Sequence, residues 1–467
     1  MLDSVIVSYT HDTIAALSTA PGEAGIAVVR VSGPHALAVL DEALRTVAGE
    51  RFGREWEHRR LYHGAFVDRG CERIDDVMAA IMRGPESYTG EDVVEISCHG
   101  GSAVVARVLE TLFLGGARPA TPGEFTQRAF LNGKMDLIQA EAVADLIHAR
   151  TELQRMVAER QLRGTLSRRI DAMADALVTF LAVVEANIDF IEEGIDALDV
   201  PRALATIATQ RAELDDLLAT AALSRPLREG YRVVIAGPVN AGKSSLFNRL
   251  IGESHAIVTE IPGTTRDVLR ETVVIDGVPF VLHDTAGLRE GTLDRVEAIG
   301  IERAVDAAQN ADVVLFVLDG TRDDTALSGG SLDRLDASHA LVVWNKSDCG
   351  GDPSSRVNAP NLAQVRASAL TGEGIDEIRR ALLQLAGSEV LAHAARDRLI
   401  LNARLVALLS DARAQLDALG QAVEAREALE LLAVQARGVL ALYEEATGRR
   451  YHDGLLDAIF SRFCIGK

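Results

Sequence analysis

Residues 237–244 constrain the possible folds more than any other stretch, because they read G-P-V-N-A-G-K-S and match the pattern G-x-x-x-x-G-K-[ST]. The apolar stretch 232–236 is predicted to be a buried strand, and 245–250 are predicted to open a helix. Backbone N–H groups of such a loop surround phosphate oxygens, and the helix N-terminus adds positive charge. We predict a phosphate-binding loop in which Lys243 contacts the β- and γ-phosphates and Ser244 binds Mg²⁺.

Residues 345–348 predict which base the nucleotide carries. They read N-K-S-D directly after the apolar run 341–344, so they follow a predicted strand. The Asp348 carboxylate can accept two hydrogen bonds from the edge of guanine, a pattern that adenine cannot supply. Ser368 and Ala369, after the strand-like stretch 364–367, fit the remaining base-contacting loop. The predicted ligand is therefore a guanine nucleotide.

Two further stretches between these motifs are predicted to sense the γ-phosphate. The first, 284–287, reads D-T-A-G, so Asp284 can hold a Mg²⁺-bound water and the Gly287 N–H can meet the γ-phosphate. The second, 263–267, reads G-T-T-R-D and makes Thr265 the second hydroxyl on Mg²⁺. The order of these elements predicts a GTPase. The residues predicted to bind GTP are Asn240, Ala241, Gly242, Lys243, Ser244, Ser245, Thr259, Glu260, Ile261, Pro262, Gly263, Thr264, Thr265, Asp284, Thr285, Ala286, Gly287, Asn345, Lys346, Asp348, Ser368 and Ala369.

Leu288 follows the D-T-A-G stretch, where Ras-like enzymes have the glutamine that orients the attacking water. Leucine cannot hydrogen-bond to water, so another group must position it and offset the developing charge. An arginine finger supplies about 10³ to 10⁵ in rate for this task. Asn240 offers an oxygen that could hold a monovalent cation near the phosphates; alternatively, it only caps a local turn.

Length and charge limit the classes of function. With 467 residues the chain is long enough for about three domains. Its net charge of -20 argues against broad, sequence-independent nucleic-acid binding and leaves room only for a local basic patch. The four cysteines form no C-x-x-C pair, so neither a disulfide framework nor a zinc site is indicated. We expect a cytoplasmic protein with no secretory signal and no membrane span.

The stretches on either side of the GTPase differ in character. Residues 1–132 mix predicted strands, at 25–31 and 91–97, with helices and are predicted to be an α+β domain. Residues 133–225 and 389–467 are helix-rich, and we expect them to form one helical domain with a Ras-like P-loop GTPase domain, 226–388, inserted between them. Asp136 and Gln139 have capping-box spacing. An apolar helical stripe comprises Ile170, Met173, Leu177, Phe180, Val184 and Ile188.

Two stretches that carry thiols allow more than one interpretation. Cys98 and His99 could suggest a reactive thiol with a neighbouring base, but adjacent strand residues point to opposite faces, which favours a structural role. The ending 463–467 reads F-C-I-G-K, and its last two residues fit a prenylation motif poorly. It is either a tail whose thiol and amine serve ligand contact or chemistry, or a disordered end.

Several stretches resemble motifs of the MnmE/TrmE family of tRNA modification GTPases, and the similarity extends over essentially the whole chain. They are 24–30, 87–92, 128–134, 263–267 and the ending 464–467. Two departures stand out: Val239 occupies a position where many members have proline, and one additional residue lies between Arg289 and Glu297.

The resemblance implies a modification activity. Members of the family, with an FAD-dependent partner called MnmG or GidA, add an aminomethyl or carboxymethylaminomethyl group to C5 of the wobble uridine in certain tRNAs. The one-carbon unit comes from a folate, 5-formyl- or methylene-tetrahydrofolate. The implied folate contacts in the N-terminal domain are Arg30, Glu95, Lys134 and Lys467. That domain would also form a homodimer, and the partner would extend it to a heterotetramer or larger complex.

The resemblance also implies how GTP is hydrolysed. A K⁺ ion bound where two GTPase domains meet would take the place of the arginine finger, which would account for Leu288. The implied K⁺ ligands are Asn240, Thr259, Ile261 and Thr264, and the implied Mg²⁺ ligands are Ser244 and Thr265. Glu297 would help to set the hydrolytic water. Cys464 matches the family's C-terminal cysteine, and its role as a catalytic or a positioning residue stays open.

The alternative function is a binary switch in ribosome assembly, in which the flanking domains only recruit partners. An Era-like switch should carry a basic RNA-binding module. This chain is acidic and ends C-I-G-K, which favours the modification enzyme.

Overall fold

The computed structural model describes residues 12–53, 55–189, 198–253, 270–284, 311–321, 336–350, 361–387 and 399–467. The chain divides into two compact units. The first comprises Met1–Ala144, Leu162–Thr179 and Leu440–Lys467, and the second comprises Asp145–Gln161 and Phe180–Val439. The boundaries of the four segments expected from the sequence stay predictions.

A seven-stranded sheet forms the centre of the first unit. In chain order the strands are β1 (Thr13–Leu17), β2 (Ala24–Ser32), β3 (Leu44–Arg45), β4 (Arg60–Val67), β5 (Arg73–Met82), β6 (Val93–Gly100) and β7 (Ala117–Pro119). Their order across the sheet is β3-β4-β5-β6-β2-β1-β7, and all neighbours are antiparallel except β1 and β7. The strands predicted near 25–31 and 91–97 are β2 and β6, and the predicted α+β class is confirmed.

The two faces of this sheet are covered to different extents by the described residues. Alternate residues of the strands, such as Val29 and Ile96, pack against α1 (Ala36–Ala43) and α2 (Ser102–Leu114) in one apolar core. The opposite face carries the cross-strand row Leu61, Ala80, Glu95 and Arg30. Leu61 remains 62% exposed there, so none of the described residues covers this part of the face.

A second, smaller core joins the C-terminal segment to a stretch near residue 130 in the first unit. It involves α3 (Glu124–Leu131), the start of α4 (Leu137–His148) and the C-terminal helix α13 (Asp453–Phe460). Its buried side chains are Phe130, Leu137, Ala140, Leu456, Phe460 and Phe463. The predicted capping box before α4 is confirmed, because the backbone N–H of Asp136 donates to Oε1 of Gln139 at 3.0 Å and the backbone N–H of Gln139 donates to Oδ1 of Asp136 at 2.9 Å.

The second unit contains a six-stranded sheet of the doubly wound type. Its strands are β8 (Tyr231–Ala236), β9 (Arg270–Ile275), β10 (Val278–Asp284), β11 (Val313–Asp319), β12 (Ala340–Asn345) and β13 (Ala363–Arg366). The order is β13-β12-β11-β8-β10-β9, with β9 antiparallel to β10 and all other neighbours parallel. β8 and β11 are almost wholly buried, as expected for central parallel strands. The carboxyl ends of β8, β11 and β12 therefore meet at one edge, which is where such sheets bind ligands.

Helices complete both units. In chain order they are α5 (Glu152–Leu162), α6 (Thr165–Asp189), α7 (Val200–Leu218), α8 (Ala221–Glu229), α9 (Lys243–Glu253), α10 (Ile375–Leu385), α11 (Ala403–Glu424) and α12 (Leu429–Thr447). α7 precedes the six strands of the second unit in sequence, and α11 follows them. The ion pairs Arg211–Asp417 (2.9 Å) and Arg413–Asp215 (2.7 Å) join the two helices. The predicted apolar stripe lies on α6, and its members are buried except Ile188, which is partly buried. Within the described ranges, no helix is both long and apolar enough to cross a membrane.

Candidate functional site

The predicted phosphate-binding loop connects the end of β8 to the start of α9. The predicted strand before it and the predicted helix after it are therefore confirmed. Gly242 has φ +89°, and a Cβ atom added there would lie 2.1 Å from Nδ2 of Asn345. No other residue fits this place, because both the backbone conformation and the contact exclude a side chain.

Three polar side chains of the predicted phosphate-binding loop are described by the structure. Lys243 donates from Nζ to the carbonyl oxygens of Gly237 (2.9 Å) and Pro238 (2.7 Å), so its ammonium group crosses the loop. Ser244 is exposed in the first turn of α9. Asn240 is exposed and has φ +66°, a left-handed conformation that asparagine tolerates. These side chains can meet phosphate oxygens and a hydrated Mg²⁺ ion.

Asn345 is a buried bridge between two loops. Its Nδ2 donates to the carbonyl oxygen of Ala241 at 2.8 Å, and its Oδ1 accepts from the backbone N–H of Ala369 at 3.0 Å. The residue is 2% exposed. The side chain therefore fixes the phosphate-binding loop relative to the loop at 368–369.

Asp348 lies at the surface in the short 3₁₀ turn Ser347–Cys349, which follows β12. Ser368 donates its hydroxyl to Oδ1 of Asp348 at 2.5 Å. This hydrogen bond lowers the pKa of the Asp348 carboxyl below its usual value. The carboxylate is thus ionised at neutral pH and held in place as an acceptor pair.

Lys346 connects the turn to the end of the neighbouring strand β11. It has φ +66°, and its Nζ lies 2.6 Å from Oδ2 of the buried Asp319 at the end of β11. Burial raises the pKa of the Asp319 carboxyl, but the hydrogen bonds from Lys346 and Thr321 outweigh burial, so the net pKa is lowered.

Arg249 on α9 was missed by the sequence analysis. Its Nε donates to the carbonyl oxygen of Ala369 at 3.0 Å, and its Nη2 also donates to the carbonyl oxygen of Leu370. The guanidinium thus ties the helix after the phosphate-binding loop to the base-contacting loop. The two partners are 120 residues apart in sequence, and no local pattern around Arg249 predicts the contact.

Some of the predicted GTP site lies outside the described residues. These residues are Thr259, Glu260, Ile261, Pro262, Gly263, Thr264, Thr265, Thr285, Ala286, Gly287, Leu288 and Glu297. Asp284 is described only as the last residue of β10.

Arg30 and Glu95 form a second candidate site in the first unit. They are directly opposite each other on β2 and β6, and Arg30 donates to Oε1 of Glu95 from Nε (3.0 Å) and Nη2 (2.8 Å). The guanidinium carbon lies 5.3 Å from the ring centroid of Tyr88 and 5.6 Å from that of Phe125. The Arg30 side chain is only 13% exposed. Two aromatic rings therefore flank a nearly buried arginine that is paired with a partly exposed carboxylate.

The other two predicted folate contacts approach this pair differently. Lys134 donates from Nζ to the carbonyl oxygen of Pro85 at 2.8 Å, so it holds the loop that carries Tyr88. Lys467 ends the chain next to Gly466, whose carbonyl oxygen accepts from Nη1 of Arg30 at 3.5 Å. Arg30, Glu95 and the chain end are thus together, whereas Lys134 reaches the site through the 85–88 loop.

A buried ionic cluster lies behind this loop and includes Arg128, the first residue of the stretch 128–134 that resembles a family motif. Arg128, 8% exposed, donates to carboxylates of Asp12 (2.7 Å), Glu91 (3.1 Å) and Glu124 (2.9 Å). Burial raises the pKa of Glu124, but hydrogen bonds from Arg118 and Arg128 outweigh it and lower the net pKa. The cluster holds α3 against the 84–91 loop.

Cys98 and His99 point to opposite faces of β6, as predicted. Cys98 is buried, and burial raises the pKa of its thiol. His99 is exposed, with Nδ1 2.7 Å from Oδ1 of Asp75. The two side chains do not form a thiol–base pair.

Comparisons with known proteins cover nearly the whole chain. Residues 13–134 match the family model for the GTP-binding protein TrmE N-terminus, and residues 137–464 match that for the MnmE helical domain. The tRNA modification GTPase MnmE of Geotalea uraniireducens is 43% identical over 465 residues, covering 98% of this chain and 100% of that protein. The proteins with the same name from Symbiobacterium thermophilum and Natranaerobius thermophilus are 44% and 40% identical, with the same coverage of both chains.

Proposed function

Since the chain belongs to the MnmE family of tRNA modification GTPases, we propose that it couples GTP hydrolysis to modification of the wobble uridine in certain tRNAs. With an FAD-dependent partner of the MnmG or GidA kind, it adds a carboxymethylaminomethyl or aminomethyl group to C5 of that uridine. A folate supplies the one-carbon unit. The observation that carries this proposal is the full-length similarity to tRNA modification GTPases.

The GTPase part of the proposal assigns the nucleotide to the edge formed by β8, β11 and β12. Asp348 accepts from the guanine edge, and Asn345, Lys346, Ser368 and Ala369 hold the base-contacting loops. Lys243 and Ser244 bind the phosphates and Mg²⁺, and Thr265 completes the Mg²⁺ ligands. Mg²⁺ neutralises charge on the β- and γ-phosphates when it is bound.

The proposed K⁺ site accounts for how this chain hydrolyses GTP without a glutamine after D-T-A-G. Asn240 would bind K⁺ together with Thr259, Ile261 and Thr264, and Glu297 would set the hydrolytic water. The left-handed backbone and the exposure of Asn240 support this assignment, since an exposed side chain is accessible to a cation.

The folate part of the proposal assigns the pteridine to the Arg30–Glu95 pair. A planar, hydrogen-bonding heterocycle suits a paired carboxylate and guanidinium flanked by the rings of Tyr88 and Phe125. Lys134 and Lys467 supply positive charge for the anionic end of the folate. Cys464, in the adjacent tail, is a catalytic or a positioning residue of the same reaction.

The assembly part of the proposal is a homodimer through the N-terminal domain, extended by the FAD-dependent partner to a heterotetramer or larger complex in the cytoplasm. Exposed apolar side chains on the open sheet face support a dimer, because Ile26 and Leu61 are 66% and 62% exposed and Met78, on the neighbouring strand β5, is 38% exposed. Exposed apolar side chains clustered on one face are typical of interaction surfaces.

The test is mass analysis of wobble-uridine nucleosides in tRNA from a strain that lacks the gene. Loss of the modified uridine, restored by the intact gene but not by a Lys243→Ala version, is the expected result. A nucleoside profile unchanged by the deletion would contradict the modification function and favour a switch in ribosome assembly.

A further inference from the structure

The C-terminal tail, residues 463–467, is docked on the sheet domain of the first unit. Phe463 anchors it, because its ring is 5% exposed and packs 5.4 Å from that of Phe460 in the small core. The backbone N–H of Gly123 then donates to the carbonyl oxygen of Cys464 at 3.4 Å. The backbone of the tail is therefore held from its first residue.

Gly466 makes the closest approach of the tail to the sheet. It is buried and has φ +94°, and a Cβ atom added there would lie 2.0 Å from the carbonyl oxygen of Leu17 on β1. Both the conformation and the contact require glycine. The tail therefore follows a path that only this residue permits.

Ser18 receives the tail at this point. Its hydroxyl donates to the carbonyl oxygen of Gly466 at 3.0 Å, and its backbone N–H donates to Val28 at 2.8 Å, which fixes it beside β2. The same Gly466 carbonyl accepts from Nη1 of Arg30, whose Nε and Nη2 are bound to Glu95. One carbonyl thus connects the tail, Ser18 and the Arg30–Glu95 pair.

The side chains of the tail differ in exposure, although its backbone is held in place. Cys464 and Ile465 are exposed, whereas Phe463 and Gly466 are buried. An unanchored chain end would bury none of them. The tail therefore presents the thiol outward from a fixed backbone.

We propose that Ser18 and Gly466 are positioning residues that seat the tail, and that the seated tail holds Cys464, Lys467 and the Arg30 guanidinium in place for folate binding. The statement about folate binding rests on the proposed function. Seating of the tail and binding of folate are then linked, because both use Arg30. Ser18 carries no other assigned role.

The experiment measures seating and folate binding separately in the full-length protein. Seating is measured as the rate at which a carboxypeptidase specific for C-terminal lysine releases Lys467, followed by mass spectrometry. Folate binding is measured by calorimetry with 5-formyl-tetrahydrofolate. The test variants are Ser18→Ala, Ser18→Thr and Gly466→Ala. The matched controls are Ser461→Ala, an exposed serine just before the tail, and Gly116→Ala, a glycine with φ +107° that has no atom within 4 Å of an added Cβ.

We expect Gly466→Ala to speed release of Lys467 at least about tenfold and Ser18→Ala severalfold, each with a parallel loss of folate affinity. Ser18→Thr, which keeps the hydroxyl, should retain both properties, as should the controls. If Lys467 were released from the unchanged protein as fast as from Gly466→Ala, the proposal that the tail is seated would be wrong. Faster release without loss of folate affinity would overturn the link to Arg30. If the unchanged protein binds no folate although the variants speed release, the seat stands and the proposed folate function fails.

Discussion

At the scale of single residues, the part of the site that we propose to recognise guanine depends on side chains that hold one another. Ser368 fixes Asp348, and Asn345 fixes Ala369 relative to the phosphate-binding loop. A carboxylate that is already oriented loses little freedom when it accepts from a base. Its hydrogen bonds then contribute more of their energy to binding.

Asp348→Asn should therefore change which base the protein prefers. An amide offers one acceptor and donors where the carboxylate offers two acceptors, so guanine loses a charge-assisted hydrogen bond and faces a donor. We expect the affinity for GDP to fall at least about 100-fold and the affinity for xanthosine diphosphate to rise, because its 2-oxo group can accept from the amide. Competition binding measures both. Asp336→Asn, at an exposed aspartate, is the control, and an unchanged GDP affinity in Asp348→Asn would show that Asp348 does not read the base.

Arg249→Ala should shorten the time that GDP stays bound. The substitution removes the donors to the carbonyl oxygens of Ala369 and Leu370, so the base-contacting loop loses its tie to α9. Hydrogen bonds from a charged donor contribute about 1.5 to 3 kcal/mol, and we expect dissociation at least about tenfold faster. Stopped-flow release of a fluorescent GDP analogue measures it. Arg380→Ala, at an exposed arginine of α10 paired within its own helix, should leave the rate unchanged. Equal rates for both variants would mean that the tie does not position the loop.

At the scale of elements, the ion pair between Asp319 and Lys346 joins the ends of β11 and β12, next to the turn that we propose to recognise guanine. The pKa of Asp319 is lower in the folded protein than its usual value near 4. Its stabilising contribution is therefore complete above that usual value and is lost as the pH falls through the lower folded pKa. We expect the acid side of the stability curve to be less steep in Asp319→Asn than in the unchanged protein. Thermal melting of the GDP-free protein between about pH 2 and 5 measures this. If the two proteins lost stability identically as the pH fell, Asp319 would not contribute to the stability of the fold.

The ionic cluster around Arg128 sets the position of a whole loop in the first unit. Removing Arg128 leaves the buried Glu124 without one of its partners, and breaking a buried pair costs about 3 to 5 kcal/mol. Arg128→Ala should lower the opening free energy of amides in α3 and the 84–91 loop by this order, as measured by hydrogen exchange. Arg107→Ala is the control, since its pairs with Asp68 and Glu110 are at the surface and contribute about 0 to 1 kcal/mol. Similar effects of the two substitutions would show that the cluster does not hold the loop.

At the scale of the whole molecule, local patterns and long-range contacts differ in what the sequence reveals. The phosphate-binding loop and the strand before it could be predicted, because the glycines, the lysine and the apolar run are adjacent in sequence. The capping box at Asp136 and the opposite faces of Cys98 and His99 followed from helix and strand periodicity.

Contacts between distant parts of the chain could not be predicted in this way. The hydroxyl of Ser18 meets the carbonyl of Gly466 across 448 residues, and Arg249 meets Ala369 across 120. Such contacts depend on how the strands and the chain end pack, and nothing in the flanking residues of Ser18 or Arg249 indicates a partner. The ionic cluster is of the same kind, since Arg128 and Asp12 are brought together only by the fold of the first unit.

The last prediction concerns the GTPase cycle of the complete protein. Because leucine at position 288 cannot orient water, hydrolysis by an isolated site should be slow, and the cation proposed at Asn240 would compensate. We expect turnover at least about tenfold faster in K⁺ than in Na⁺ at matched ionic strength, a part of the 10³ to 10⁵ that an arginine finger supplies. Cys464→Ser should keep this ratio, because the thiol belongs to the other unit and not to the nucleotide site. Equal turnover in the two salts would remove K⁺ from the mechanism and require another group to offset the charge on the γ-phosphate.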